Sequence, residues 1–105
     1  MNPRRGEIWL ADLGLAAKTR PVIVISRNDE NPPRHLYVYV PLTTQSRGSS
    51  YEVSLEHYAV LSDESVINVQ GIGSLPRPRL IRKLGELTRS DLQKTVETLR
   101  FLFGL

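Results

Sequence analysis

The chain contains no cysteine, which excludes a disulfide framework and any thiolate-ligated metal site. It also lacks an apolar run approaching the roughly 18 residues that a membrane-spanning helix needs. The opening stretch MNPRRGEIW has no apolar core of the kind that directs secretion. These absences set the expectation of a soluble, cytoplasmic protein with no membrane partner. Histidine is nearly missing: His35 and His57 are the only two, and neither has an acid or nucleophile at a catalytic spacing, so both read as loop histidines. There is no HExxH or CxxC word, and Asp63-Glu64 is a lone acidic pair on a turn, so no metal and no cofactor is expected. The glycines of GIGS do not open a helix after a strand, as a dinucleotide fingerprint would, and read as strand-end flexibility. No serine sits in a nucleophile elbow. Internal repeats, low-complexity tracts and linkers are absent as well, and 105 residues make a single domain over 1–105.

What remains is mildly basic and strand-rich. Fourteen Lys and Arg face eleven Asp and Glu, for a net charge of +3, which permits a nucleic-acid partner without requiring one. Arginine dominates the basic set and offers planar, bidentate donors suited to phosphate oxygens. Lys18, Arg20, Arg47, Arg77 and Arg79 stand beside the candidate loops. EIWLADL (Glu7 to Leu13) alternates, with Ile8 and Leu10 inward. RPVIVIS (Arg20 to Ser26) is continuous and β-branched, which predicts burial on both faces. LYVYVPL (Leu36 to Leu42) and YEVSL (Tyr51 to Leu55) follow. A fifth strand is expected within SVINVQGIGSL, ending near Gly71 or Gly73.

PRPRLIRKLGEL reads as a short turn of helix followed by a strand. Thr88 is a good N-cap with Asp91 three residues on, and Leu92, Val96, Leu99 and Phe103 keep helical spacing. Five or six short strands and one C-terminal amphipathic helix predict a strongly curved antiparallel sheet or small barrel with the helix packed on it.

The anion-friendly groups lie at strand ends. Arg20 starts the most apolar strand and precedes Pro21, which biases its backbone toward an extended conformation. Thr43, Thr44, Gln45, Ser46 and Arg47 follow the third strand without a break. Thr43 and Thr44 are also ordinary turn-formers, and Arg20 alone is an ordinary exposed arginine. From the residues alone the reading stops at a small β-rich domain able to bind anions.

The words RGEIWLADL, KTRPVIVIS, VPLTTQSRG with YEV, and KLGELTRSDLQKTVETLRFLF occur in the order and spacing of the MazF/PemK toxin endoribonucleases. The chain resembles that family from Arg5 to about Phe103. The resemblance implies an SH3-like barrel with a C-terminal helix, usually a homodimer, that cuts single-stranded RNA at short sequences without a metal. It implies Arg20 and Thr43 as the catalytic pair. It also implies a MazE-like antitoxin whose acidic tail competes with RNA, with DNA met only through that antitoxin. Base reading on unstacked RNA falls to amide and guanidinium edges. Gln45, Ser46 and Arg47 come first, with Thr44 and Lys18 as further contacts and Asn68 and Gln70 behind them. Trp9 reads as core or dimer interface before it reads as a base-stacking platform. Two departures bear on recognition: Leu13 to Thr19 is shorter than the family's loop, and NVQG supplies Asn68 and Gln70 where the family has an Asp-Gln word. Two alternatives share the fold. One is a gyrase-poisoning toxin, disfavoured because the chain ends Phe103-Gly104-Leu105 with no Trp. The other is a non-catalytic antitoxin-binding partner, disfavoured by the retained Arg20 and Thr43.

Overall fold

Three of the other strands pair directly with one long central strand. The computed structural model describes residues 2–14 and 18–105. Its elements are β1 (Glu7–Asp12), β2 (Thr19–Val24), β3 (Leu36–Thr43), β4 (Glu52–Ser54), β5 (Val66–Asn68), β6 (Gly73–Pro76), β7 (Leu80–Glu86) and α1 (Arg89–Phe103). All pairings are antiparallel. β3 meets β2 on one edge; on the other it meets β6 with its first half and β5 with its last two residues. The hydrogen-bonded path is β4-β5-β3-β2-β1-β7, with β6 added on β3.

Alternation along the strands divides two apolar clusters between the faces. Trp9, Ala11, Val22, Val24, Leu75 and Leu80 form one. Ile8, Ile23, Val40, Leu42, Val53, Ile67 and Val69 form the other, against which Leu99 and Leu102 of the helix pack. The continuous Val22-Ile23-Val24 run serves both clusters, and all three are at most 1% exposed. Only one 3-10 turn, Arg77–Arg79, joins β6 to β7, the two ends of the path β6-β3-β2-β1-β7. The sheet therefore curls around the first cluster in a barrel-like manner. Register shifts between β1 and β7 at Ile8/Trp9 and Leu10/Ala11 supply local twist for that curl.

The expected fold is present, with differences in detail. Seven strands form instead of five or six, because the segment expected to hold one strand is split into β5 and β6 by a 3-10 turn, Val69–Gly71. The glycines there serve close approach, not flexibility. A Cβ on Gly71 would lie 2.6 Å from Pro41 Cγ, and one on Gly73 would lie 2.9 Å from the Tyr39 hydroxyl. Gly71→Ala is expected to cost about 1–3 kcal/mol through this overpacking, read as a lower midpoint of urea unfolding.

Trp9 is core: it is 3% exposed, its indole N–H donates to Glu7 Oε1 at 3.0 Å, and the Arg77 guanidinium lies 5.0 Å from its ring centroid. The helix begins as its sequence predicts. Thr88 Oγ1 accepts the Asp91 N–H at 3.1 Å, and Gly104 closes the helix with φ +72°. One expected core residue is misplaced: Phe103 is 59% exposed, and Leu102 packs inward in its stead. No described helix is long and apolar enough to cross a membrane.

Candidate functional site

Two prolines open the site. β2 pairs with β3 as Val24↔Tyr39, Ile23↔Val40 and Val22↔Pro41. Neither Pro21 nor Pro41 has an N–H to give the ladder, and Val22↔Pro41 is the last pair. Carried two residues further, the same register brings Arg20 opposite Thr43. Both residues therefore sit at the same end of the sheet, just beyond the paired ladder, on strands whose adjoining residues Val22 and Leu42 are buried.

Both residues line the same two adjoining clefts. One, of about 170 Å³, is bounded by Arg20, Pro21, Leu42, Thr43 and Thr44 on the sheet side, and by Val60, Leu61, Ser62 and Ser65 on the other. The second, of about 340 Å³, runs from Leu13 and Arg20 past Thr43 and Thr44 to Gln45. Thr43 is half-buried, and its Oγ1 accepts the Gln45 N–H at 3.1 Å. Thr43 is thus a turn-former and a site residue together. With a lone pair engaged by the backbone, its hydroxyl proton remains to be given to a bound anion.

The other predicted residues divide. Thr44 and Gln45 line the clefts. Ser46 and Arg47 continue into the next loop, where the Glu52 carboxylate gathers the chain. Glu52 Oε1 accepts the Ser46 hydroxyl at 3.0 Å and the Arg47 N–H at 3.1 Å, and Oε2 accepts the Arg47 N–H at 3.0 Å. The Ser49 N–H adds a further donor at 3.3 Å. The backbone donor on Arg47 leads in holding the Glu52 carboxyl below its usual range, against desolvation. Lys18 closes the β1–β2 turn with a left-handed φ of +56° and its N–H 2.9 Å from the Gly14 carbonyl. Residues 15–17 of the shortened loop lie outside the described residues. Lys18, Asn68 and Gln70 line neither cleft. Asn68 Oδ1 instead accepts the Gln70 N–H at 3.1 Å and caps the 3-10 turn. His57 pairs with Asp63 at 2.8 Å, both side chains strongly exposed.

Two parts of the site carried no local signal. Glu52 reads only as the start of a short strand. The 55–65 loop has no motif, yet it supplies one wall of the smaller cleft and is pinned to the helix start. Asp91, fully buried, accepts the Glu56 N–H at 3.0 Å and the Tyr58 hydroxyl at 2.6 Å through Oδ2, and pairs with Lys94 at 3.1 Å. Thr88 donates its hydroxyl to Glu56 Oε2 at 2.8 Å.

A curled antiparallel sheet with a helix on one face, and with Arg20 and Thr43 lining shared clefts at its open end, defines a small β-rich protein. The class narrows on comparison. The model of the PemK-like, MazF-like toxin of type II toxin–antitoxin systems matches residues 4–103, and the chain belongs to that family. The probable endoribonuclease MazF2 of Mycobacterium tuberculosis is 34% identical over 103 residues, covering 96% of this chain and 98% of that relative. The probable endoribonuclease MazF5 of the same organism is 33% identical over 86 residues, covering 81% of this chain and 78% of the relative. A mycobacterial endoribonuclease solved in complex with its cognate antitoxin superposes with a TM-score of 0.86 at 29% identity, covering 99% of this chain and 97% of that one.

Proposed function

We propose that this protein is a sequence-specific endoribonuclease toxin that cuts single-stranded RNA, with Arg20 and Thr43 as the catalytic pair. The observation that supports the reading is that Arg20 and Thr43 line the same two clefts just beyond the proline-bearing end of the β2–β3 ladder. The family and its named endoribonuclease relatives support the activity.

In this scheme a ribose 2′-hydroxyl attacks the adjacent phosphorus and the bond to the 5′-oxygen of the next nucleotide breaks. The products are a 2′,3′-cyclic phosphate and a 5′-hydroxyl. Negative charge grows on the non-bridging oxygens and on the departing 5′-oxygen. Arg20 stabilises it with fixed cationic donors, and the Thr43 hydroxyl gives a further hydrogen bond. A guanidinium that keeps its proton far above neutral pH serves as charge clamp and donor, not as base. No step is routed through a metal. Gln45 and Arg47 lead the base reading, with Thr44, Ser46, Lys18, Asn68 and Gln70 as further contacts. A mycobacterial endoribonuclease of this fold was solved with its cognate antitoxin; on this reading the partner here is likewise an antitoxin, of the small MazE type, the working form is a cytoplasmic homodimer, and DNA is reached only through the antitoxin.

The test is to incubate purified protein with single-stranded RNA in excess chelator and map the new 5′ ends. Discrete cuts with 5′-hydroxyl ends are expected, and uncut RNA would sink the proposal. Thr43→Val, which keeps the shape and removes the hydroxyl, is expected to lower kcat by about 10²-fold, the scale for losing one preorganised donor. Thr43→Ser should recover most of that rate in single-turnover assays.

A further inference from the structure

We propose that Glu52 is a positioning residue for sequence choice, fixing the Gln45–Ser49 loop at a set offset from the Arg20–Thr43 cleft. This rests on the RNA-cleavage reading above. The loop has no regular secondary structure and is exposed throughout, and its backbone adds only a closing hydrogen bond from the Glu52 N–H to the Ser49 carbonyl at 3.3 Å. Its order comes from side chains turned inward. Ser46 Oγ accepts the Gly48 N–H at 3.3 Å, Ser49 Oγ accepts the Tyr51 N–H at 3.2 Å, and both ends of this small arch converge on the Glu52 carboxylate.

The division of labour within the loop follows. Ser46 gives its hydroxyl proton to Glu52 and so acts as a strut. The Gln45 and Arg47 backbones are tied down, Gln45 by Thr43 Oγ1 and Arg47 by Glu52. Their side chains make no hydrogen bond within the described residues, so an amide and a guanidinium edge are held on a fixed backbone for an outside partner. A carboxylate next to a polyanion-binding loop would ordinarily oppose binding. Here its charge is met by the convergent N–H and O–H donors, which makes it a frame and not a repulsive surface.

That frame is rigidly connected to the cleft. Glu52 opens β4 and pairs with Asn68 of β5, while Val66 of the same strand pairs with Thr43. The reading loop and the cleavage pair thus share one three-strand patch, and the distance between the base read and the phosphate cut is set by it. Releasing the loop from Glu52 loosens that distance without touching Arg20 or Thr43.

The experiment compares wild type and Glu52→Gln on a randomised single-stranded RNA pool, with kinetics on one preferred and one near-preferred oligonucleotide. Amide exchange at Arg47 and Ser49 is followed in the same samples. The expected result for the variant is a folded protein whose Arg47 and Ser49 amides exchange at least 10-fold faster. Its preference ratio between the two oligonucleotides falls about 10-fold, and KM rises more than kcat falls. Arg47→Ala should broaden site choice likewise, and adding Glu52→Gln to it should change little more. Unchanged amide exchange or unchanged site preference in Glu52→Gln, with wild type cutting normally, would overturn this proposal alone. An equal loss of kcat at every site would also overturn it, since that marks a general structural role. Wild type that cuts no RNA overturns the activity reading itself.

Discussion

Arg20→Ala is expected to lower RNA cleavage by about 10³-fold or more while leaving the fold intact. The magnitude follows from removing a cationic donor aimed at charge that develops only in the transition state, for which single-donor losses of about 10²–10³ and arginine losses of about 10³–10⁵ are typical. Arg20 is exposed at the start of β2, so the thermal midpoint should stay within a few degrees of wild type. Arg20→Lys should restore only part of the rate, because a point charge on a flexible stem does not reproduce a planar fork. Single-turnover cleavage of one mapped oligonucleotide, alongside thermal melts, checks all three. Full activity in the alanine variant would remove Arg20 from the chemistry.

The largest effect on stability is expected from Asp91→Ala. Asp91 is fully buried and anchors the β4–β5 loop to the start of α1 through Glu56 and Tyr58. Truncation removes the acceptor of the part-buried Glu56 N–H and the shorter of the Tyr58 hydroxyl's two contacts, leaving it Thr88 Oγ1 at 3.4 Å, and it removes the Lys94 pair. With about 1.5 kcal/mol for each hydrogen bond to a charged group that is lost, the cost is roughly 3 kcal/mol, which lowers the melting temperature by about 10 °C or more in a domain of this size. Urea titration followed by far-UV circular dichroism measures it, and a loss under about 1 kcal/mol would show that the network matters little.

The same residue sets an acid dependence. Burial raises the Asp91 carboxyl, but hydrogen bonds from Tyr58, the Glu56 backbone and Lys94 outweigh it and bring it below its ordinary value. The unfolded chain therefore takes up this proton first as pH falls. The stabilisation is complete above the ordinary aspartate range and is lost as pH drops through the lowered folded value. Asp91→Asn should flatten that part of the acid-unfolding curve. Because the 55–65 loop walls the smaller cleft, the alanine variant should also lose some cleavage rate below its unfolding transition.

Much of the architecture was legible along the chain because its causes are local. The β-branched run Val22 to Val24 announced burial on both faces, and Thr88 with Asp91 marked the start of α1. Arg20 before Pro21 and the polar run from Thr43 were visible as strand ends. Other features were hidden because their causes lie across the fold. Asp91 looked like a capping residue, yet its carboxylate turns to Glu56 and Tyr58, 35 and 33 positions away. Phe103 kept helical spacing, but the core meets the face that carries Leu99 and Leu102. Gly71 and Gly73 looked like flexible ends until Pro41 and Tyr39 were placed against them.

The sequence by itself determined most of the segments that extend and where the helix starts, which depend on near-neighbour backbone preferences and on the period of apolar residues. The family and the two candidate catalytic residues came separately, through the resemblance of its words in order. Only the tertiary structure decided that Arg20 and Thr43 line the same clefts where the β2–β3 ladder ends at Pro41. It also decided that Glu52 frames the loop after Thr43, and that a motif-free loop pinned by Asp91 closes one side of the cleft. Those relations depend on strand register and on hydrogen bonds between distant segments, which no single stretch of residues encodes.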